Sequence, residues 1–174
     1  MVEARAIISD IEKTKKKLEN LGAVFQGDYI FKDIIFITDK KNYDLHDGYL
    51  RLRVYTKNNW PTKNYLLVKK QSKSSDISKN EKKILKKEFD SENEALNFIN
   101  TEFYDEFKRD FEYSRKGWQY KLENSRIFIE DIENFKPTIE IEGEAEQKLE
   151  LLFKKIGIVE KLNKSIPEIM ARQK

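Results

Sequence analysis

Seven short segments of this 174-residue chain alternate apolar and charged residues with a period of two, and the charged positions carry both signs. Successive side chains on a strand point to opposite faces, so each segment reads as a strand with one apolar and one ionic face. In residues 2–6, Glu3 and Arg5 face away from Val2, Ala4 and Ala6. In 49–55, Arg51 and Arg53 oppose Leu50, Leu52 and Val54. In 65–70, Lys69 shares a face with Leu67, and in 84–90 Lys86, Glu88 and Asp90 share one. In 112–116, Tyr113 and Arg115 lie together; in 126–131, Arg126, Phe128 and Glu130 oppose Ile127 and Ile129. In 138–144, Glu140 and Glu142 oppose Ile139 and Ile141. Any one such strand would ordinarily turn its polar face to water. Seven faces of fixed charge constrain the fold more than that.

Helical segments supply the other half of the argument. Ile11, Leu18 and Leu21 recur at helical spacing behind a Ser9–Glu12 capping-box pattern, with Gly22 as the stop. Ser91 and Glu94 open a second helix through Ile99, and 145–156 is amphipathic up to Gly157. Ser165, Pro167 and Glu168 open a last short helix. Residues 25–37 read as one or two strands, 102–120 is ambiguous between helix and strand, and 39–48, 58–63 and 71–80 read as loops. The amphipathic helices need an apolar surface. If they pack outside the sheet, the ionic faces point inward, giving α+β architecture with a barrel or tunnel and a charged lumen.

An empty lumen of this kind is costly, because unpaired buried charge is disfavoured by many kcal/mol. Mutual ion pairing, water or a polyanion with a divalent metal would offset it. Arginine offers phosphate a bidentate fork, and carboxylates suit a hard cation. Glu140 and Glu142, roughly 6.6 Å apart along a strand, can converge on one ion.

Bulk properties narrow the class. The chain has no cysteine, which excludes disulfides and thiolate metal sites and suits a reducing compartment. Net charge is +3 from 34 basic and 31 acidic residues, without the lopsided charge of a dedicated DNA-binding protein. No apolar run approaches the ~20 residues of a membrane span, and the opening residues lack a signal-peptide layout, so no membrane association and a cytoplasmic location are expected. No linker or repeat interrupts the chain, which reads as one domain over 1–174. His46 and the acidic stretch 39–47 fit no recognised site.

In order and spacing these segments resemble the CYTH superfamily, or triphosphate tunnel metalloenzymes, and within it the class IV adenylyl cyclase-like and thiamine-triphosphatase-like branch. The matching stretches are MVEAR, LGA at 21–23, DIIF at 33–36, LRLR at 50–53, YLLVKK, KKEFD, FIEDIENFKPTIEIE and KSIPEIM. The resemblance implies an eight-stranded antiparallel tunnel that binds a triphosphate with Mg²⁺ or Mn²⁺. It places Glu3, Glu140 and Glu142 at the metal, and Arg5, Arg51, Arg53, Lys69, Lys86, Arg115 and Arg126 at the substrate. Glu88 and Glu130 would orient these cations or assist a second metal, and Glu3, Arg5, Glu88 and Glu130 would take part in catalysis. The implied activity is hydrolysis of tripolyphosphate, thiamine triphosphate or a nucleoside triphosphate. The alternatives are conversion of ATP to cyclic AMP and pyrophosphate, or a silent tunnel that only binds nucleotides or polyphosphate. The implied partner is a triphosphate-bearing small molecule, with a homodimer left open. The pattern departs at Met1, which stands where the family has its first glutamate, at Arg5 in place of lysine, and at Tyr113 in place of a basic residue.

Overall fold

The period-two segments form strands and the capped segments form helices. The computed structural model describes residues 2–38, 45, 48–73, 80–104, 106–158 and 160–173, with the side chains of 71–73 and 80–84 excepted. In chain order the elements are β1 (Val2–Ile7), α1 (Ile11–Asn20), β2 (Val24–Thr38), β3 (Tyr49–Lys57), β4 (Tyr65–Lys73), β5 (Asn80–Phe89), α2 (Glu92–Phe103), β6 (Phe107–Leu122), β7 (Ser125–Ile132), β8 (Thr138–Gly143), α3 (Glu146–Ile156), β9 (Lys161–Leu162) and α4 (Ile166–Ala171). Met1, His46 and residues 39–44, 47 and 74–79 lie outside the described residues.

The architecture is α+β, with the strands in one antiparallel sheet ordered β5-β4-β3-β2-β6-β7-β8-β1-β9. The strand count differs from the eight expected. The added strand, β9, pairs two residues with Arg5 and Ala6 of β1 and is too short to show alternation. Among the described residues the order does not close on itself. Residues 25–37 belong to one long strand, β2, and the ambiguous 102–120 resolves into the end of α2 and the long strand β6. The cap of α1 is Asp10, not Ser9: its carboxylate accepts from the Lys13 amide at 2.9 Å. Ser91 does cap α2, accepting from the Glu94 amide at 3.2 Å. At α4, Glu168 accepts from the Ser165 amide at 2.6 Å and from its hydroxyl at 2.8 Å.

Contacts divide the chain into two units, Met1–Tyr29 with Arg115–Asn163 and Ile30–Ser114 with Lys164–Lys174, and β2 and β6 contribute to both. In the first unit α1 and α3 pack on the sheet. Leu18, Leu149, Leu152, Phe153 and Ile156 bury Ala6, Ile127, Ile129, Ile139 and Ile141. Each fully buried aliphatic side chain contributes ~1.5–3 kcal/mol relative to exposure. In the second unit α2 covers β4 and β5, where Ala95 and Ile99 join Ile34, Leu50, Leu52, Leu67 and Phe89. In the first unit α1 and α3, and in the second α2, cover the apolar sheet face, as the alternation predicts. No described helix is long and apolar enough to cross a membrane.

Candidate functional site

Register brings the ionic positions of the first unit onto one face. Glu3 pairs with Glu142 and Arg5 with Glu140 across β1 and β8. Arg126 pairs with Glu142 and Glu130 with Thr138 across β7 and β8. Directly paired residues project to the same side of a sheet. One carboxylate oxygen each of Glu3, Glu140 and Glu142 lie within 4.8 Å of one another. Glu3 is exposed and the other two are half-buried.

Beside this group lies a buried ion network. Arg5 is only 7% exposed. Its guanidinium donates to Glu130 at 2.5 Å, to the Thr138 hydroxyl at 2.9 Å and to Glu140. Arg115 donates to the same Glu130 oxygen at 3.0 Å, and the Tyr29 hydroxyl donates to the other at 2.9 Å. Burial pushes the Arg5 guanidinium down, but the Glu140 and Glu130 carboxylates outweigh it and hold Arg5 protonated. Burial, then the Glu130 charge, push the Tyr29 phenol well above its ordinary value. Tyr29 reaches Glu130 across Gly117, the register partner of Glu130. A Cβ at Gly117 would sit 2.0 Å from the ring carbon Cζ of Tyr29. Arg126, by contrast, is half exposed and pairs with Glu142 at 2.5 Å.

The second unit has its own charged group. Asp33 is fully buried and accepts from Arg53 Nε at 2.7 Å and from Arg53 Nη2 at 2.9 Å. Such a fork-to-fork pair fixes the guanidinium plane. The Phe31 ring packs 3.6 Å from the same guanidinium. Arg51 approaches Asp33 at 4.0 Å and Tyr113 donates to it at 3.4 Å. Lys86 pairs with Val68 and Glu88 with Leu66, which puts both on the face of Arg51 and Arg53. Lys86 is exposed, and Glu88 accepts from the Lys63 amide at 3.2 Å.

Lys69 falls on the other face. It pairs with Leu50, opposite in face to Arg51, and its ammonium lies 5.0 Å from the Phe103 ring and 5.3 Å from that of Phe107. Lys70, paired with Tyr49, shares the face of Arg51 instead. The alternation already implied this, because Lys69 and Leu67 are two residues apart. Three further residues of these groups, Tyr29, Asp33 and Thr138, were not singled out from sequence. Thr138 and Asp33 carried a signal: Thr138 lies two residues before Glu140, and Asp33 is a lone charge in an aromatic and β-branched strand. Tyr29 carried none, since its role depends on register with Gly117.

No model of a known protein family matches the sequence, and no curated protein matches it. Solved structures do. The PH1819 protein of Pyrococcus horikoshii is 18% identical, with a TM-score of 0.80 and 99% of each chain covered. A proposed adenylate cyclase from Vibrio parahaemolyticus is 11% identical, with a TM-score of 0.71 over 98% of this chain and 97% of that one. HpAC1 from Hippeastrum, a proposed adenylyl cyclase described as having a dominant triphosphatase activity, is 17% identical, with a TM-score of 0.71 over 99% of this chain and 95% of that one. The chain therefore has the fold of these proteins.

Proposed function

We propose that this protein is a divalent-metal-dependent hydrolase of a triphosphate: inorganic tripolyphosphate, thiamine triphosphate or a nucleoside triphosphate. The observation that carries the reading is the convergence of Glu3, Glu140 and Glu142 on one ionic face. Three carboxylates and no nitrogen or sulfur donor suit Mg²⁺ or Mn²⁺, which take oxygen ligands. Such a metal, when bound, neutralises phosphate oxygens and polarises a nucleophile. The chain's own residues supply positioning. Arg126 lies beside the carboxylates and presents an exposed guanidinium to phosphate oxygens. Glu130 holds Arg5 and Arg115 in one orientation, so these buried cations contribute fixed positive potential without needing to reorganise. Asp33 does the same for Arg53, with Arg51 beside it. Lys86 and Lys70 add cations on their face of the sheet, and Lys69, stacked on phenylalanines, is not assigned to phosphate. The closed, charged tunnel expected from the sequence belongs to this proposal.

Adenylyl cyclase activity is the second reading, favoured by the description of the Vibrio fold neighbour. A silent anion-binding protein is the third, favoured by the arginines already placed on Glu140 and Glu142. Incubation with ATP, tripolyphosphate and thiamine triphosphate, each with Mg²⁺ or Mn²⁺, separates the three. Orthophosphate release supports the hydrolase. Cyclic AMP with pyrophosphate selects the cyclase, and binding without turnover selects the silent protein.

A further inference from the structure

Two of the three candidate metal ligands are already engaged by arginine. Arg5 holds Glu140, and Arg126 holds Glu142 at 2.5 Å. A divalent ion at this site therefore arrives by displacement. The two arginines are not equivalent. Arg5 is buried and anchored by Glu130 and Thr138 as well, so its position does not depend on Glu140 alone. Arg126 is 48% exposed, at the edge of the same face. The half-exposed guanidinium is open to competition from water and salt, while the Glu142 oxygen it meets is buried.

We propose that Arg126 is an exchangeable counter-cation. It covers Glu142 until a divalent ion binds, and is then handed to the anion that enters with the metal. The proposal rests on the metal reading of Glu3, Glu140 and Glu142. Charge gives the direction: a divalent ion held by these carboxylates adds two positive charges beside the Arg126–Glu142 pair. Glu142 then has a stronger partner than Arg126, and Arg126 faces a site that attracts anions. Arginine suits the transfer, because its fork matches phosphate as well as carboxylate. No covalent step is involved; one ion pair is exchanged for two.

The test uses Mn²⁺ alone and then inorganic phosphate. Free Mn²⁺ is titrated by electron paramagnetic resonance against wild type, Arg126→Ala, Arg126→Lys and Glu140→Gln. Removing the competitor tightens Mn²⁺ binding in Arg126→Ala by roughly two- to fivefold, the range of a solvent-screened ion pair. Arg126→Lys stays near wild type, and Glu140→Gln loses binding. Phosphate affinity is then measured with and without saturating Mg²⁺. Wild type gains affinity with the metal, and Arg126→Ala loses at least half of that gain on a logarithmic scale. Unchanged or weaker Mn²⁺ binding in Arg126→Ala, with Glu140→Gln still deficient, overturns the exchange and leaves the metal centre standing. Absence of Mn²⁺ binding in wild type, or binding indifferent to Glu140→Gln, overturns both.

Discussion

Replacing Gly117 with alanine is the sharpest structural perturbation available, because it adds one methyl group at a point where the ionic network has no room. The new Cβ would lie 2.0 Å from Cζ, 2.3 Å from the hydroxyl oxygen and 2.4 Å from Cε2 of Tyr29. The Tyr29 ring is 2% exposed and edges onto Phe128 at a centroid distance of 6.4 Å, so it cannot rotate away into solvent. Overpacking of this kind costs about 1–3 kcal/mol. If Tyr29 shifts, its hydrogen bond to the Glu130 carboxylate goes too, adding about 1.5–3 kcal/mol. Intrinsic propensity works the other way, since glycine weakens a strand interior. A net loss of about 2–5 kcal/mol follows, a fall in Tm of roughly 2–4 °C for each kcal/mol in a chain of this size. Urea denaturation of wild type, Gly117→Ala, Tyr29→Ala and the double variant checks the cause. With the ring gone the added methyl has space, so Gly117→Ala becomes nearly neutral in the Tyr29→Ala background, and the coupling energy equals the loss seen in the single variant, about 2–5 kcal/mol. Additive losses, or a single variant within about 0.5 kcal/mol of wild type, as for an ordinary surface change, would refute the reasoning.

Three other outcomes are expected. Arg5→Met leaves Glu130 to Arg115 and Tyr29, takes the buried guanidinium from Glu140, and destabilises by about 3–5 kcal/mol in urea, while Arg5→Lys recovers only part, because a single ammonium cannot span both carboxylates and Thr138. Burial and then Glu19 push the Tyr120 phenol up to about 12 from an ordinary 10.0. Its folded pKa is raised, so the stability it confers is complete below pH 10 and is lost as pH rises through 12; Tyr120→Phe flattens that part of a Tm–pH profile, and Glu19→Gln moves the phenol absorbance titration down. Lys70→Met weakens tripolyphosphate binding while Lys69→Met leaves it unchanged, as read by calorimetry; the reverse order would restore Lys69 to the anion-binding face.

The side of each strand was legible because the period of two is enforced by backbone geometry, and the helices could be placed because they had one apolar surface to cover. Glu3, Arg5, Glu130, Glu140 and Glu142 were found this way, and β-pairing brings all five onto one face. Ion-pair partners were not legible, because they depend on register. Nothing local says that Arg5 meets Glu130 across 125 positions, or that Tyr29 finds space only where residue 117 lacks a Cβ. Asp33 stood in view within DIIF, but its role as the anchor of Arg53 appears only when β2 pairs with β3. Lys69 shows the converse: resemblance to a motif places it at the substrate, whereas the alternation and the register put it on the face of Leu67.

The central claim is that Glu3, Glu140 and Glu142 share one divalent cation. Crystals grown with Mn²⁺ and tripolyphosphate, measured at the manganese absorption edge, test it directly. The account predicts one strong anomalous peak within about 2.0–2.3 Å of an oxygen from each of the three glutamates, lengths set by hard-cation coordination, with phosphate oxygens and water filling the remaining octahedral positions. Tripolyphosphate bound with the peak elsewhere, or with no peak at all, would contradict it.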